Sequence, residues 1–92
     1  MDFSDVIRKA EDVLQVLEQY QHEESAAQLK TLMSQLSEPW LQKQALQGIE
    51  DMCHIKWLGD LNTGTISLKK WWALLERLRV SANRCMRQLE TP

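Results

Sequence analysis

The sequence predicts an all-α fold, arranged either as a four-helix antiparallel bundle or as an irregular four-helix cluster. Three glycines and two prolines in 92 residues favour long helices over a sheet with many turns. Hydrophobic residues make up 43% and charged residues 26% of the chain, which is the balance of a folded domain. Apolar residues recur at helical spacing in four segments of this single domain (1–92), which predicts helices over about 4–20, 23–36, 39–53 and 67–89.

The first predicted helix has a continuous apolar stripe and an acidic solvent face. Ser4 precedes the stripe and is a favourable N-cap residue. The stripe consists of Val6, Ile7, Ala10, Val13, Leu14 and Leu17. A rotation of about 100° per residue places four carboxylates on the two shoulders of this stripe. They are Asp5 and Asp12 on one side, and Glu11 and Glu18 on the other.

A proline separates the second and third helices, whereas the first two helices have no such break between them. The first two are therefore joined by a very tight turn or form one bent helix. The second stripe is Ala26, Leu29, Leu32, Met33 and Leu36. Pro39 suits the first turn of the third helix, and Gly48 within that helix indicates close approach of a neighbour. The third apolar face is Leu41, Ala45, Ile49, Met52 and Cys53.

The longest connection, residues 54–67, has neither a helical nor a strand period. Gly59, Asn62 and Gly64 indicate a loop that has room for one helical turn. Ser67 is placed to cap the last helix. The stripe of that helix is Leu68, Trp71, Trp72, Leu75, Leu78, Ala82, Met86 and Leu89.

Charge and hydropathy argue against a membrane partner, and the charge does not favour a nucleic-acid partner. The net charge of −2 divides into −4 for residues 1–46 and +2 for residues 47–92. No apolar run approaches the ~20 residues that span a bilayer, and the first residues are acidic where a signal peptide is basic. We therefore expect a cytoplasmic protein, in which the isolated Cys53 and Cys85 stay reduced.

No constellation in the sequence predicts catalysis, a metal site or a cofactor. Cys53 and His54 are sequence neighbours, and side chains about 100° apart on a helix do not face each other. A metal site could be assembled from Cys53, His54, Asp60 and His22, but no pair has ligand spacing. Residues 59–65 lack the Gly-Lys-Ser/Thr ending of a phosphate loop. We expect a chain that is not an enzyme.

Four tryptophans in 92 residues are a high tryptophan content, and tryptophan is favoured both in cores and at interfaces. Trp71 and Trp72 lie on the last apolar stripe and are expected in the core. Trp40 lies nearly opposite the apolar face of its helix, and Trp57 lies in the loop. These two indoles either anchor a partner or pack against a neighbouring helix.

The two charged faces each allow two interpretations. The last helix carries its cations on the polar side: Lys69, Lys70, Arg77, Arg84 and Arg87. This face is either solvated and able to pair with the acidic first helix, or it contacts nucleic-acid phosphates. The acidic face of the first helix either solubilises the chain or attracts a basic protein partner, since complementary charge speeds encounter.

Residues 52–62, MCHIKWLGDLN, followed by residues 71–75, WWALL, resemble short helical bacterial proteins that are the immunity partners of polymorphic or secreted toxins. The resemblance implies a cytoplasmic protein that binds a toxin domain and blocks its active site or holds it inactive. It also implies that the loop supplies the anchors, for which the candidates are His54, Lys56, Trp57, Asp60 and Asn62. The acidic first helix would then steer the encounter, and Trp40 is a further candidate contact.

Two other functions stay open at this point. One is a helical adaptor or secretion chaperone that homodimerises through an exposed apolar stripe. The other is a nucleic-acid-binding regulator that uses the basic last helix. An obligate dimer in solution would favour the first, and steeply salt-dependent DNA binding would favour the second.

Overall fold

The computed structural model describes residues 2–54, 57–61, 64 and 66–90, and within these residues the chain is all-α. Four α-helices are present there: α1 (Ser4–Gln19), α2 (Glu23–Gln35), α3 (Gln42–Met52) and α4 (Leu68–Glu90). Two short 3₁₀ turns accompany them, Pro39–Leu41 before α3 and Leu58–Asp60 between α3 and α4. The predicted fold class is confirmed.

Each helix packs on the next one in the chain, and α4 also packs on α1, which closes the four helices around one core. The predicted apolar stripes supply most of that core, and Leu46 and Leu58 add to it from outside those stripes. Its fully buried large side chains are Val6, Val13, Leu17, Leu29, Leu46, Ile49, Met52, Leu58, Trp71 and Leu78. No helix in the described part of the chain is both long and apolar enough to cross a membrane.

The junction between α1 and α2 is a tight turn, so the first two helices are separate. The His22 N–H donates to the Leu17 carbonyl at 2.8 Å, and the Gln21 N–H donates to the Glu18 carbonyl at 3.2 Å. This pair of bonds is the Schellman arrangement that ends many helices. Gln21 has a φ of 62°, where glycine is usual, which explains why no clear break is evident in the sequence.

Two helix starts differ from the sequence prediction. Ser4 is the first residue of α1 and does not cap it; its backbone N–H donates instead to the Asp2 carboxylate at 2.9 Å. The third helix begins with the 3₁₀ turn at Pro39 and becomes α-helical at Gln42. The prediction for Ser67 is confirmed, because its hydroxyl accepts the Lys70 N–H at 3.2 Å.

Gly48 allows α2 and α3 to approach closely, as its position within a helix predicts. A Cβ atom at this position would lie 2.8 Å from Cδ2 of Leu32 on α2. Hydrogen in place of a side chain therefore lets Leu32 pack directly over the α3 backbone.

Candidate functional site

The connection between α3 and α4 is fixed to α4 by two neighbouring tryptophans. The Trp71 indole N–H donates to the Leu58 carbonyl at 2.7 Å, and the Trp72 indole N–H donates to the Gly59 carbonyl at 3.1 Å. Leu58 itself is fully buried. We call this pair of indole bonds the tryptophan latch. It fixes the 3₁₀ turn Leu58–Asp60, which has no sequence periodicity, against α4.

Gly64 fixes the far end of the same connection. Its φ is +64°, and a Cβ atom there would lie 2.3 Å from Cε1 of Tyr20 at the end of α1. Both the left-handed backbone and the close approach require glycine. Gly64 thus lies against the Tyr20 ring at the end of α1.

The four tryptophans differ widely in exposure. Trp71 is completely buried, whereas Trp72 is 40%, Trp57 43% and Trp40 75% exposed. The expectation that Trp72 lies in the core is wrong, because its position is about 90° around the helix from the middle of the α4 stripe. Leu68 is 51% exposed, since it begins the helix beyond the cover of its neighbours.

Trp57 forms one wall of an open groove of about 580 Å³, which we call the Trp57 groove. Its lining side chains come from the end of α3, from the residues just after it and from α4. They are Glu50, Asp51, His54, Trp57 and Arg79. The groove continues past His54 into a second depression that Cys53, Trp72, Leu75 and Glu76 line together with Arg79.

A more apolar depression of about 320 Å³ shares Trp57 and Asp51 with the groove, and we call it the apolar hollow. Its remaining lining residues come from α2 and α3: Gln28, Thr31, Leu32, Gly48 and Met52. Trp57 therefore separates a charged groove from an apolar hollow.

The charges in the Trp57 groove are unequally satisfied. Arg79 donates from both Nε and a terminal nitrogen to the two carboxylate oxygens of Glu76, which lowers the pKa of Glu76 and raises that of Arg79. Its other terminal nitrogen lies 4.0 Å from Oε1 of Glu50. Oε2 of Glu50 is shielded from solvent, and no donor in the described residues reaches it. A shielded carboxylate oxygen without a donor is unusual in a folded protein.

Cys53 beside this groove is a poor nucleophile. Burial raises the pKa of its thiol to about 12, so the thiolate that would be needed for attack is scarce near neutral pH. Cys53 is 8% exposed, as expected for a core cysteine, and its neighbour His54 is exposed in the groove. Cys53 and Cys85 are both free thiols.

Of the other combinations weighed in the sequence, the described residues contain no group of three or more His, Cys, Asp or Glu side chains placed to hold a metal ion. The basic side chains of α4 that the sequence singles out are all exposed. They are Lys69, Lys70, Arg77, Arg84 and Arg87.

The acidic face of α1 is partly occupied by bonds within the molecule. The Asp5 carboxylate accepts hydrogen bonds from the buried Ser81 hydroxyl on α4 and from Lys9, and these donors lower its pKa to about 2. Glu18 forms an ion pair with Lys30 of α2 at 3.4 Å. The remaining two acidic candidates, Glu11 and Asp12, are exposed.

The structure brings together some of the predicted contact residues and separates others. His54 and Trp57 line the groove, and Asp60 is exposed in the adjacent 3₁₀ turn. Lys56 and Asn62 lie outside the described residues. The remaining candidates lie on other elements: Trp40 in the turn before α3, and Asp5, Glu11, Asp12 and Glu18 on α1.

Sequence reasoning missed the charged residues of the groove. Glu50 and Asp51 occupy polar positions of α3, and such positions usually indicate only a solvated face. The spacing of Glu76 and Arg79, three residues apart on a helix, could have revealed their ion pair. Nothing in the sequence pairs Glu50 with Arg79, because their contact depends on how α3 packs on α4.

Comparisons with protein families, with curated proteins and with solved structures find no match for this chain.

Proposed function

We propose that this chain is a protein-binding domain without catalytic activity, and that it is an immunity protein that binds and neutralises a cognate bacterial toxin. The observation that carries the proposal is the surface around the Trp57 groove. There, Trp57 and Trp72 are each about two-fifths exposed beside a groove with charged walls.

Exposed tryptophans at a fixed surface are the strongest argument for binding. Tryptophan is enriched among the few residues that dominate interface energies, because its large ring loses much water contact at small entropic cost. The tryptophan latch holds the turn next to Trp57 in place before any partner arrives. A surface ordered in advance spares the entropy that a mobile loop would lose on binding.

The residues that resemble toxin-immunity partners contribute to this one surface. Residues 52–62 supply Trp57 and the 3₁₀ turn, and residues 71–75 supply both indole donors of the latch. Segments separated in sequence thus meet at a single surface, which supports a shared role in binding. The acidic face of α1 would add electrostatic steering toward a basic partner.

The decisive test is co-expression with the protein encoded by the neighbouring reading frame. The proposal predicts that the chain restores growth when that protein is toxic, and that the two proteins co-purify. Trp57→Ala and Asp60→Ala should weaken the complex while circular dichroism stays that of the native chain. Gln44→Ala, at an exposed position of α3 outside the groove, is the control. Trp40→Ala removes the exposed indole before α3 and tests that further candidate contact separately.

Failure of both rescue and co-purification would refute the immunity role. Loss of helicity in Trp57→Ala and Asp60→Ala would instead assign these side chains to the fold. Light scattering after size-exclusion chromatography tests the adaptor alternative, since exposed indoles could also pair two copies of this chain. An obligate dimer would favour that alternative, whereas a monomer is expected for an immunity protein of this design.

A further inference from the structure

We infer that the Trp57 groove binds an arginine side chain of the partner protein, with apolar residues next to that arginine seated in the apolar hollow. This inference rests on the proposed protein-binding function and adds the chemistry of the contact. Four features of the surface support it: an accessible Asp51 carboxylate beside the negative charge of Glu50, a cation already neutralised, an accessible indole, and an adjoining apolar depression.

The acceptors come first. Glu50 and Asp51 are consecutive residues near the end of α3, and both line the groove. Asp51 accepts one hydrogen bond, from the Gln47 side chain to Oδ1 at 2.9 Å, and no described residue donates to its Oδ2. Oε2 of Glu50 likewise has no donor in the described part of the chain. The exposed Asp51 therefore offers an accessible acceptor oxygen, whereas the shielded Glu50 contributes negative charge to the groove.

The groove's own cation does not cancel this negative charge. Arg79 gives its two best hydrogen bonds to Glu76, and it stands 4.0 Å from Glu50. Counting Glu76 with the groove, three carboxylates face one guanidinium. Among the described lining residues, which also include the His54 imidazole, carboxylates thus outnumber guanidinium groups, so a cationic group from a partner fits the groove by charge complementarity.

The indole of Trp57 favours a guanidinium over an ammonium ion. A guanidinium is planar and weakly hydrated, so it stacks on an aromatic face while its edge donates paired hydrogen bonds to a carboxylate. The 43% exposed ring of Trp57 and the carboxylates of Glu50 and Asp51 line the same groove. An ammonium ion would be attracted to the same charges but lacks the flat face and the paired donors.

The apolar hollow adds a requirement on the neighbouring residues of the partner. It lies on the other side of Trp57 and shares Asp51 with the groove. Leu32 and Met52 give it an apolar wall, and Leu32 packs over the α3 backbone at Gly48. A partner segment with leucine beside arginine would fill both depressions at once.

The test uses the full chain labelled with ¹⁵N and titrated with acetyl-Leu-Arg-Leu-amide, whose only charge is the guanidinium. We expect saturable shifts of the Trp57 indole resonance and of the Glu50, Asp51 and His54 amides, with a Kd of about 1 mM, as a single side-chain contact would give. The citrulline peptide keeps the shape but not the charge, and it should bind about tenfold more weakly. The lysine peptide should fall between the two.

Variants identify the acceptors. Glu50→Gln and Asp51→Asn keep the shape of each side chain, and each should weaken binding of the arginine peptide about fivefold. Glu90→Gln removes an exposed carboxylate at the end of α4, outside the groove, and should leave the Kd unchanged. Equal binding of the arginine and citrulline peptides, shifts confined to other surfaces, or wild-type binding by both groove variants would overturn the inference.

The outcomes also separate this inference from the proposed function. If the chain rescues growth from its toxin but the arginine peptide leaves the groove unshifted, the arginine site is wrong and the immunity role stands. If the peptide binds the groove as described but no rescue or co-purification occurs, the immunity role is wrong and the guanidinium site stands.

Discussion

The Trp57 groove and the acidic face of α1 are both charged surfaces, but they use their charges differently. On α1, Asp5 is bonded to Ser81 and Lys9, and Glu18 is paired with Lys30. In the groove, Glu50 retains a shielded oxygen without a donor in the described residues, beside a half-exposed indole. Satisfied, solvated charges stabilise or solubilise a fold, whereas exposed tryptophan rings are typical of interface anchors.

The largest expected effect comes from breaking the tryptophan latch. Trp71→Ala removes a fully buried indole and its bond to the Leu58 carbonyl, and it should lower the free energy of unfolding by about 3–5 kcal/mol. Trp72→Ala should cost only about 1 kcal/mol, because its ring is 40% exposed and its bond is longer. Urea denaturation followed by circular dichroism measures both. Equal losses would contradict the view that the buried Trp71, more than the partly exposed Trp72, holds the 3₁₀ turn beside the groove.

The next effect concerns Gly64, which lies against Tyr20. Gly64→Ala should lower the free energy of unfolding by about 1–3 kcal/mol, because alanine is strained at positive φ and would collide with Tyr20. Gly48→Ala is the control, since only the flexible end of Leu32 must move and alanine favours a helix by ~1 kcal/mol. The same urea titration compares them. A larger loss for Gly48→Ala would reverse the assignment of strain.

A smaller effect, expected only at acidic pH, tests the contacts that the Asp5 carboxylate of α1 makes. The pKa of Asp5 is lowered to about 2 from an ordinary value of 3.8, so its contribution is complete above about pH 4 and is lost as the pH falls toward 2. Asp5→Asn should therefore flatten the decline of unfolding free energy between pH 4 and pH 2, and Ser81→Ala should flatten it in part. Parallel pH profiles for the wild type and Asp5→Asn would show that the carboxylate does not link α1 to α4.

The helices could be predicted from the sequence, but the surface of the site could not. Apolar stripes bury themselves whatever their partner helix, so residues such as Val13, Ile49 and Leu78 predicted both the helices and the core. The 3₁₀ turn at Leu58 has no period, and its place is set by indole bonds that form only after α4 packs. The burial of Trp72 was predicted wrongly because it also depends on tertiary packing. A residue at the edge of a stripe is buried or exposed according to the helices packed beside it.

The candidate site was predictable in part. The departure from periodicity after α3 drew attention to His54 and Trp57, and both line the groove. Glu50 and Arg79 escaped notice because they belong to two helices whose relative rotation is fixed by packing, 29 residues apart in the chain. Long-range pairs of this kind carry no local sequence signal.

The most direct test of the central claim is the affinity of the chain for the protein encoded by the neighbouring reading frame, the proposed toxin, measured by calorimetry for two variants. Trp57→Ala should raise the Kd about 10- to 100-fold, as the loss of an interface anchor does. A triple variant of α1, Glu11→Gln with Asp12→Asn and Glu18→Gln, should change the Kd by about threefold or less at 0.15 M salt, because exposed charges are screened there. Wild-type affinity in Trp57→Ala together with loss of binding in the triple variant would contradict the account.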